Sequence, residues 1–410
     1  MDNGKFLIIK LLKLFVKIKL NMKEIKFLII STSMASLFVL AGLAITKNSD
    51  QKLKSSETIA SPSPQISHLP QQPETPLTSV QTSPNLPPLP PKAINSSHSQ
   101  EIVYLTLESP TFQKNQSLQK IVDQIVQYAA DKKYPINPLS ITLINVKTGQ
   151  YGEYQQDRLR YPASVVKLFW MVALYGQIAS GKWQDPQIFA EDLRKMMIQS
   201  DNEAASRIVN QLTDTQSGNN LTDQDYKQWL YKRQWLNRFF EYANYKNINI
   251  SQKTFPIPSE KLFEPKGLDL KMRGNPNKPI RNKISTEQAA RLMYEIVTGN
   301  AISKEYSENM MFWLDRNELL SSGEWKEIDP NTGYFNPIQG FLGEYFSTLS
   351  HRVYFASKAG WTGNTRQEVA YINDGKVAYI LAIFAEDTAY AQNWQIFPKI
   401  SEIVYTEMTN

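Results

Sequence analysis

From Ser117 to Lys132, Leu118, Ile121, Val122, Ile125, Val126 and Ala129 recur at helical spacing, so this stretch predicts an amphipathic helix with one buried face. The period then changes. Ile141–Val146 reads as a strand, Lys147-Thr148-Gly149 as a turn, and a second strand follows through Tyr154. Ser164–Ser180 is apolar on nearly every side and of helix length, which predicts a central helix buried all round. Residues 187–198 and 203–212 read as helices flanking Ser200. Ser285–Val297 predicts another, with Ser285 and Gln288 spaced as a capping box. Strand patterns return at Val353–Ala359, Glu368–Ile372 and Val377–Phe384, the last two joined by an Asp374-Gly375 turn. A final helix spans Trp394–Met408, with Pro398 in its first turns. Strands at both ends with helices between predict an α+β domain over residues 101–410, built on one antiparallel sheet that joins its two ends.

Upstream the pattern is of another kind. Phe27–Thr46 holds twenty residues without a charge, long enough to cross a bilayer as a helix. Residues 1–26 carry seven Lys against one Asp and one Glu. A basic stretch before the apolar run places residues 1–26 in the cytoplasm and the remainder outside. Two expectations stand: a transmembrane signal anchor, or a signal peptide cleaved near Gly42-Leu43-Ala44 and a secreted product. Translation starting at Met22 would still leave Lys23 and Lys26 before the apolar run. Residues 47–100 are rich in Pro, Ser, Thr and Gln, and ten of the 23 prolines fall between Pro62 and Pro91. Such a segment cannot bury a core and predicts a disordered spacer. The chain thus divides into a basic tail (1–26), a membrane segment (27–46), a linker (47–100) and a catalytic domain (101–410), expected to work as a monomer.

Composition narrows the chemistry. The net charge is +6, of which the first 26 residues supply +5, so the rest is close to neutral and offers no basic face for nucleic acid. Cysteine is absent, which removes disulfides, thiolate metal sites and a cysteine nucleophile. His68 and His98 fall in the linker, leaving His351 alone in the folded part. No multi-histidine metal site can be built there, and no metal or organic cofactor is expected.

Three strings remain that can carry a reaction. In Tyr161-Pro162-Ala163-Ser164-Val165-Val166-Lys167, Ser164 and Lys167 lie three residues apart and share a helix face. A serine hydroxyl needs a base, and a lysine buried among Val, Leu, Phe and Trp is pushed toward its neutral amine. In Ser200-Asp201-Asn202, the serine is placed to pass a proton between Lys167 and a leaving nitrogen, and the Asn202 amide to bind a substrate carbonyl or hold the lysine. In Ser357-Lys358-Ala359-Gly360-Trp361-Thr362-Gly363, Lys358 supplies a cation and Gly360 permits close backbone approach. The amides of Trp361 and Ser164 are candidates to hold an oxyanion.

The order and setting of these strings resemble the signature of the serine β-lactamase and penicillin-binding superfamily. Residues from about 115 to 408 resemble a class A β-lactamase-like domain, carried by the first strand pair, YPASVVKLF, MMIQSDNEAA and SKAGWTG. The resemblance implies a three-layer α/β/α fold with a central antiparallel sheet of about five strands plus an all-helical subdomain. It implies Ser164 as acylated nucleophile, Lys167 as base, Ser200 as proton relay, Asn202 as substrate-binding amide and Lys358 as the orienting cation. The resemblance implies a serine hydrolase of the class A β-lactamase type that opens a β-lactam or a peptidoglycan-like amide through an acyl-enzyme on Ser164, with a penicillin-binding-protein-like peptidoglycan carboxypeptidase or transpeptidase, or a β-lactam- or peptidoglycan-binding domain without turnover, as the alternatives. Two departures stand out. Ala359 replaces the Thr or Ser usual in the family, and Thr362 is the candidate to supply part of the lost hydrogen bonding. The family's deacylating Glu-x-x-Leu-Asn is absent; its nearest counterpart is Phe263-Glu264-Pro265-Lys266-Gly267-Leu268-Asp269, so Glu264 is the candidate base. About sixty residues separate Asn202 from Glu264, and the aromatic-rich Tyr226–Tyr245 stretch predicts one or two extra helices there.

Overall fold

The computed structural model of the chain describes residues 101–218, 221–257, 261–328 and 335–410. The expected tail, membrane segment and linker lie outside these residues. Among the described residues, no helix is long and apolar enough to cross a membrane.

The strands are β1 (Gln113–Lys114), β2 (Leu139–Asn145), β3 (Gln150–Tyr154), β4 (Tyr354–Thr362), β5 (Thr365–Asn373) and β6 (Ala378–Ala385). They form one sheet in the order β1-β3-β2-β6-β5-β4. Five are antiparallel to their neighbours; the sixth, the two-residue β1, lies parallel to β3. The expectation of about five antiparallel strands is therefore corrected to a mixed sheet of six. A strand of two residues carries no alternation that a sequence pattern can reveal.

Alternate residues of the sheet feed two cores. On one face Ile144, Val369, Tyr371, Ile380, Ala382 and Phe384 pack into an apolar layer with the central helix α2 (Val166–Ala179). On the other, Ile141, Leu143, Ala370, Ile372, Leu381 and Ile383 meet α1 (Gln116–Asp131) and the C-terminal helix. A sheet buried on both faces makes the three-layer arrangement. The central helix is buried on every side from Val166 to Ile178, as its all-round apolar sequence requires. It starts two residues later than the pattern suggested, because Ala163–Val165 form a 3₁₀ turn in front of it.

The remaining helices are α3 (Ala190–Ile198), α4 (Asn202–Thr213), α5 (Asp223–Arg233), α6 (Trp235–Glu241), α7 (Gly267–Arg273), α8 (Thr286–Val297), α9 (Lys304–Leu314), α10 (Asn317–Ser322), α11 (Leu342–Phe346), α12 (Thr388–Gln392) and α13 (Ile396–Thr409). The capping box expected at Ser285 is present in both directions, with Gln288 as its partner. The extra helices expected in Tyr226–Tyr245 are α5 and α6. This inserted region is tied down by a fully buried pair, Arg233 Nη1 to Asp269 Oδ1 at 2.9 Å, and by Trp170 Nε1 donating to the Ile250 carbonyl at 2.8 Å.

Candidate active site

Ser164 sits in the 3₁₀ turn that leads into α2, and Lys167 lies one turn on, fully buried. The turn is forced. Ala163 adopts φ +46°, a left-handed conformation costly for any residue with a Cβ. It is pinned from the sheet, where Gln367 donates to the Tyr161 carbonyl at 2.7 Å. Strand β4 presses on it directly: a Cβ built on Gly360 would lie 2.6 Å from the Ser164 amide nitrogen and 2.9 Å from the Pro162 carbonyl. Glycine is therefore the residue that fits at 360.

Ser200 occupies the kink between α3 and α4, with φ +56°. Asp201 caps α4 by accepting from the Ala204 amide at 2.7 Å, which puts Asn202 in the first helical turn. Lys167 Nζ donates to Asn202 Oδ1 at 2.7 Å, to the Ser200 carbonyl, and to Ser200 Oγ at 3.4 Å. From the opposite side Lys358 Nζ donates to the same Ser200 Oγ at 2.9 Å and to the Ala359 carbonyl at 3.0 Å. The Phe335 ring covers Lys358, its centroid 5.4 Å from Nζ. Two buried lysines thus converge on one hydroxyl.

Burial governs their protonation. Desolvation lowers Lys167 to about 7, and the nearby Asp201 carboxylate opposes that shift. Lys358 is held well below the ordinary lysine range, by burial first and then by repulsion from Lys167 and Arg316, with Glu368 opposing. A lysine near 7 is half neutral at physiological pH, which is what a general base for a serine requires.

The structure brings Ser164, Lys167, Ser200, Asn202, Lys358 and Gly360 into one site. In the resting arrangement no hydrogen bond joins Ser164 to Lys167, whose bonds go to Ser200 and Asn202. Trp361 lies on β4, at the edge of the sheet, and its indole is engaged elsewhere, donating to the Ala391 carbonyl at 2.8 Å. The Thr362 hydroxyl turns to the tip of the β4–β5 hairpin and donates to Asn364 Oδ1 at 2.8 Å. Ala359 is buried in the layer opposite the site, so a hydroxyl at this position would face that layer. Glu264 is not brought into the lysine-serine group. Its side chain is 72% exposed and paired with Arg273 at 3.0 Å. Among the described residues, no Asp or Glu hydrogen-bonds Ser164, Lys167, Ser200 or Lys358.

One residue behind the site escaped the sequence reading. Arg316 is buried, and its guanidinium donates to the carbonyls of Met197 (2.8 Å), Ser357 (2.9 Å), Trp313 (3.0 Å) and Asp315 (2.9 Å). It ties the end of α3, which leads to Ser200, to the strand that carries Lys358. The signal available was an Arg two residues beyond the apolar end of α9, which reads as an ordinary C-terminal cation. A cleft of about 780 Å³ lined by Phe312, Asn317, Phe346 and His351 among others includes none of Ser164, Lys167, Ser200, Asn202 and Lys358, and the side-chain chemistry marks the candidate site better than the cavity does.

The family model described as the beta-lactamase enzyme family matches residues 186–408, more than half of the chain. That span takes in Ser200, Asn202 and Lys358 and begins downstream of Ser164 and Lys167. No curated protein matches the sequence at a significant level. Solved structures similar to this one include a beta-lactamase from Sphaerobacter thermophilus DSM 20745, at 15% identity and a TM-score of 0.47, covering 71% of this chain and 97% of that one. A protein titled PBP-A is 17% identical with a TM-score of 0.47, covering 73% and 98% respectively. A beta lactamase from Xanthomonas campestris pv. campestris is 14% identical with a TM-score of 0.48, covering 72% and 99%.

Proposed function

We propose, for a chain that belongs to the beta-lactamase enzyme family, that Ser164 is acylated by a β-lactam or a related peptide amide and that the acyl-enzyme then persists. The observation that carries this reading is the pair of buried lysines, Lys167 and Lys358, meeting at Ser200 Oγ with no carboxylate among the described residues bonded to the group.

Acylation follows from that arrangement. Neutral Lys167 takes the Ser164 proton as Oγ attacks the carbonyl carbon. The Ser164 and Trp361 amides receive the developing oxyanion. The ammonium at Lys167 returns its proton through Ser200 to the amide nitrogen, while Lys358 polarises the Ser200 hydroxyl. The C–N bond breaks, leaving an ester on Ser164 and a neutral Lys167. Asn202 Oδ1 holds Lys167, which leaves its NH₂ group to bind a substrate carbonyl. The next step needs a base for water, and Glu264 is committed to Arg273 at the surface. Water attack on the ester is therefore slow. This favours penicillin-binding behaviour over a rapid β-lactamase. The uncharged Phe27–Thr46 segment behind a basic stretch supports a place for the catalytic domain outside the cytoplasmic membrane.

The test is incubation of the full chain, wild type and Ser164→Ala, with a fluorescent penicillin and with a chromogenic cephalosporin. A stable Ser164-dependent label with little colour is the expected result. Sustained colour at more than about one turnover per second, ordinary for an enzyme, contradicts the persistence. No Ser164-dependent label contradicts the acylation.

A further inference from the structure

Charge is unevenly spread over the folded region. Residues 246–283 contain nine Lys or Arg and three Asp or Glu, a net +6 equal to that of the whole chain. With +5 in residues 1–26, everything outside these two stretches carries −5. The acids described in the stretch are already engaged: Asp269 by Arg233, and Glu264 by Arg273. Lys278, Arg281 and Lys283 are exposed, and none has an ion-pair partner among the described residues.

This basic segment borders the nucleophile. Lys283 and Asn249 exchange backbone hydrogen bonds at 2.7 and 3.0 Å, and the next residue, Ile284, does the same with Arg160 at 3.1 and 2.9 Å. Arg160 is followed by Tyr161, and Ser164 comes three residues later. The Arg281 guanidinium lies over the Tyr161 ring, 5.7 Å from its centroid. Lys283 therefore sits on the backbone ladder that runs into the serine turn, Arg281 lies over the ring at its start, and Lys278 is three residues further back along the same segment. Opposed cations on a solvated face usually have acids interleaved with them; here the acids are turned to partners and the cations are left over.

We propose that Lys278, Arg281 and Lys283 form a docking rim for an acidic acyl donor, a peptide or glycopeptide carrying several carboxylates beyond the bond that Ser164 opens. The proposal rests on the acylation assigned to Ser164. An uncompensated cationic rim raises the local concentration of an anionic substrate and its rate of encounter. Its contribution is long-range, so salt screens it, whereas contacts to the buried lysines are screened far less.

The test uses the full chain, a fluorescent penicillin as acylating probe and a poly-L-glutamate of about ten residues as competitor, with neutral dextran as control. At low ionic strength the polyanion is expected to slow wild-type labelling about fivefold, while K278Q/R281Q/K283Q is slowed less than about 1.5-fold. Sodium chloride at about 0.5 M is expected to abolish the difference. Equal slowing of both proteins, or none in wild type, overturns the proposal. Thermal melting of the triple variant confirms that it is folded. If no Ser164-dependent label forms, the function proposed above fails; the rim is then read by fluorescence anisotropy of labelled poly-L-glutamate on Ser164→Ala. Salt-sensitive binding lost in the triple variant supports the rim, and binding unchanged by it overturns the rim.

Discussion

Gly360 faces the amide of Ser164 so closely that a methyl group on its Cα would sit 2.6 Å from that nitrogen. The obstacle is backbone, so nothing flexible can move aside. The strand that carries Lys358 and the turn that carries Ser164 are thus in register through one missing side chain. Gly360→Ala must push the turn away. It is expected to cost about 1–3 kcal/mol in urea denaturation and at least about tenfold in the rate of Ser164 labelling. Gly363, with nothing within 4 Å of its virtual Cβ, is the control. Gly363→Ala should change neither measurement by more than about 0.5 kcal/mol.

Lys167 is buried at a cost in stability. It titrates near 7 when folded and near 10.5 when unfolded, a penalty of up to about 5 kcal/mol at neutral pH. Lys167→Met removes the penalty and also three donated hydrogen bonds, so a net gain of about 1–3 kcal/mol is expected with acylation lost. Between about pH 7 and 10.5 the unfolded wild type binds a proton that the folded form releases, so wild-type stability climbs with pH there. The advantage of Lys167→Met is therefore largest below pH 7, falls by about 1.4 kcal/mol per pH unit above it, and reverses before 10.5, where only the lost hydrogen bonds remain. Denaturation of both proteins at pH 6, 8 and 10 checks this.

The same titration sets the acylation rate. Only neutral Lys167 accepts the serine proton, so labelling should rise with pH through a limb near 7. Asp201 favours the ammonium form. Asp201→Asn retains a good helix cap and removes that charge, so the limb should move to lower pH. A limb that stays in place or moves upward assigns the titration to another group. Rates of penicillin labelling from pH 5 to 9 give the answer.

Arg316 holds the carbonyls of Met197 and Ser357 at 2.8 and 2.9 Å, and so spaces Ser200 from Lys358. Arg316→Met leaves buried carbonyls without a donor and should cost about 3 kcal/mol or more in denaturant unfolding. It also removes a cation that disfavours the charged form of Lys358, so Lys358 should keep its proton to higher pH. Arg316→Lys restores the charge without the fork and should recover only part of the labelling rate.

Three helices were legible in the sequence: α1 and α8 by their periodicity, α8 with both halves of its capping box, and α2 by its all-round apolarity. So were the C-terminal strands, above all β6, because a sheet buried on both faces leaves an unbroken apolar run such as Ala378–Ala385. Their ends were less so. β4 runs on through Gly360 and Trp361 to Thr362, where glycine and threonine read as turn residues until β5 is seen pairing with them. β1 owes its strand geometry to pairing with β3 alone. In the site, serine, lysine and asparagine were legible by spacing, whereas Arg316 does its work through carbonyls from three segments that no linear pattern links. Glu264 resembles the family's deacylating string only in local composition; the chain turns its carboxylate outward to Arg273.

The most direct measurement is the intact mass of the full chain after incubation with benzylpenicillin at neutral pH, followed over hours. The account predicts one added β-lactam, located on Ser164 by peptide mapping, still present after removal of free drug and absent from Ser164→Ala. A protein that remains at its unmodified mass while the drug stays intact contradicts the serine-lysine centre. An unmodified protein with drug consumed contradicts the stalled acyl-enzyme.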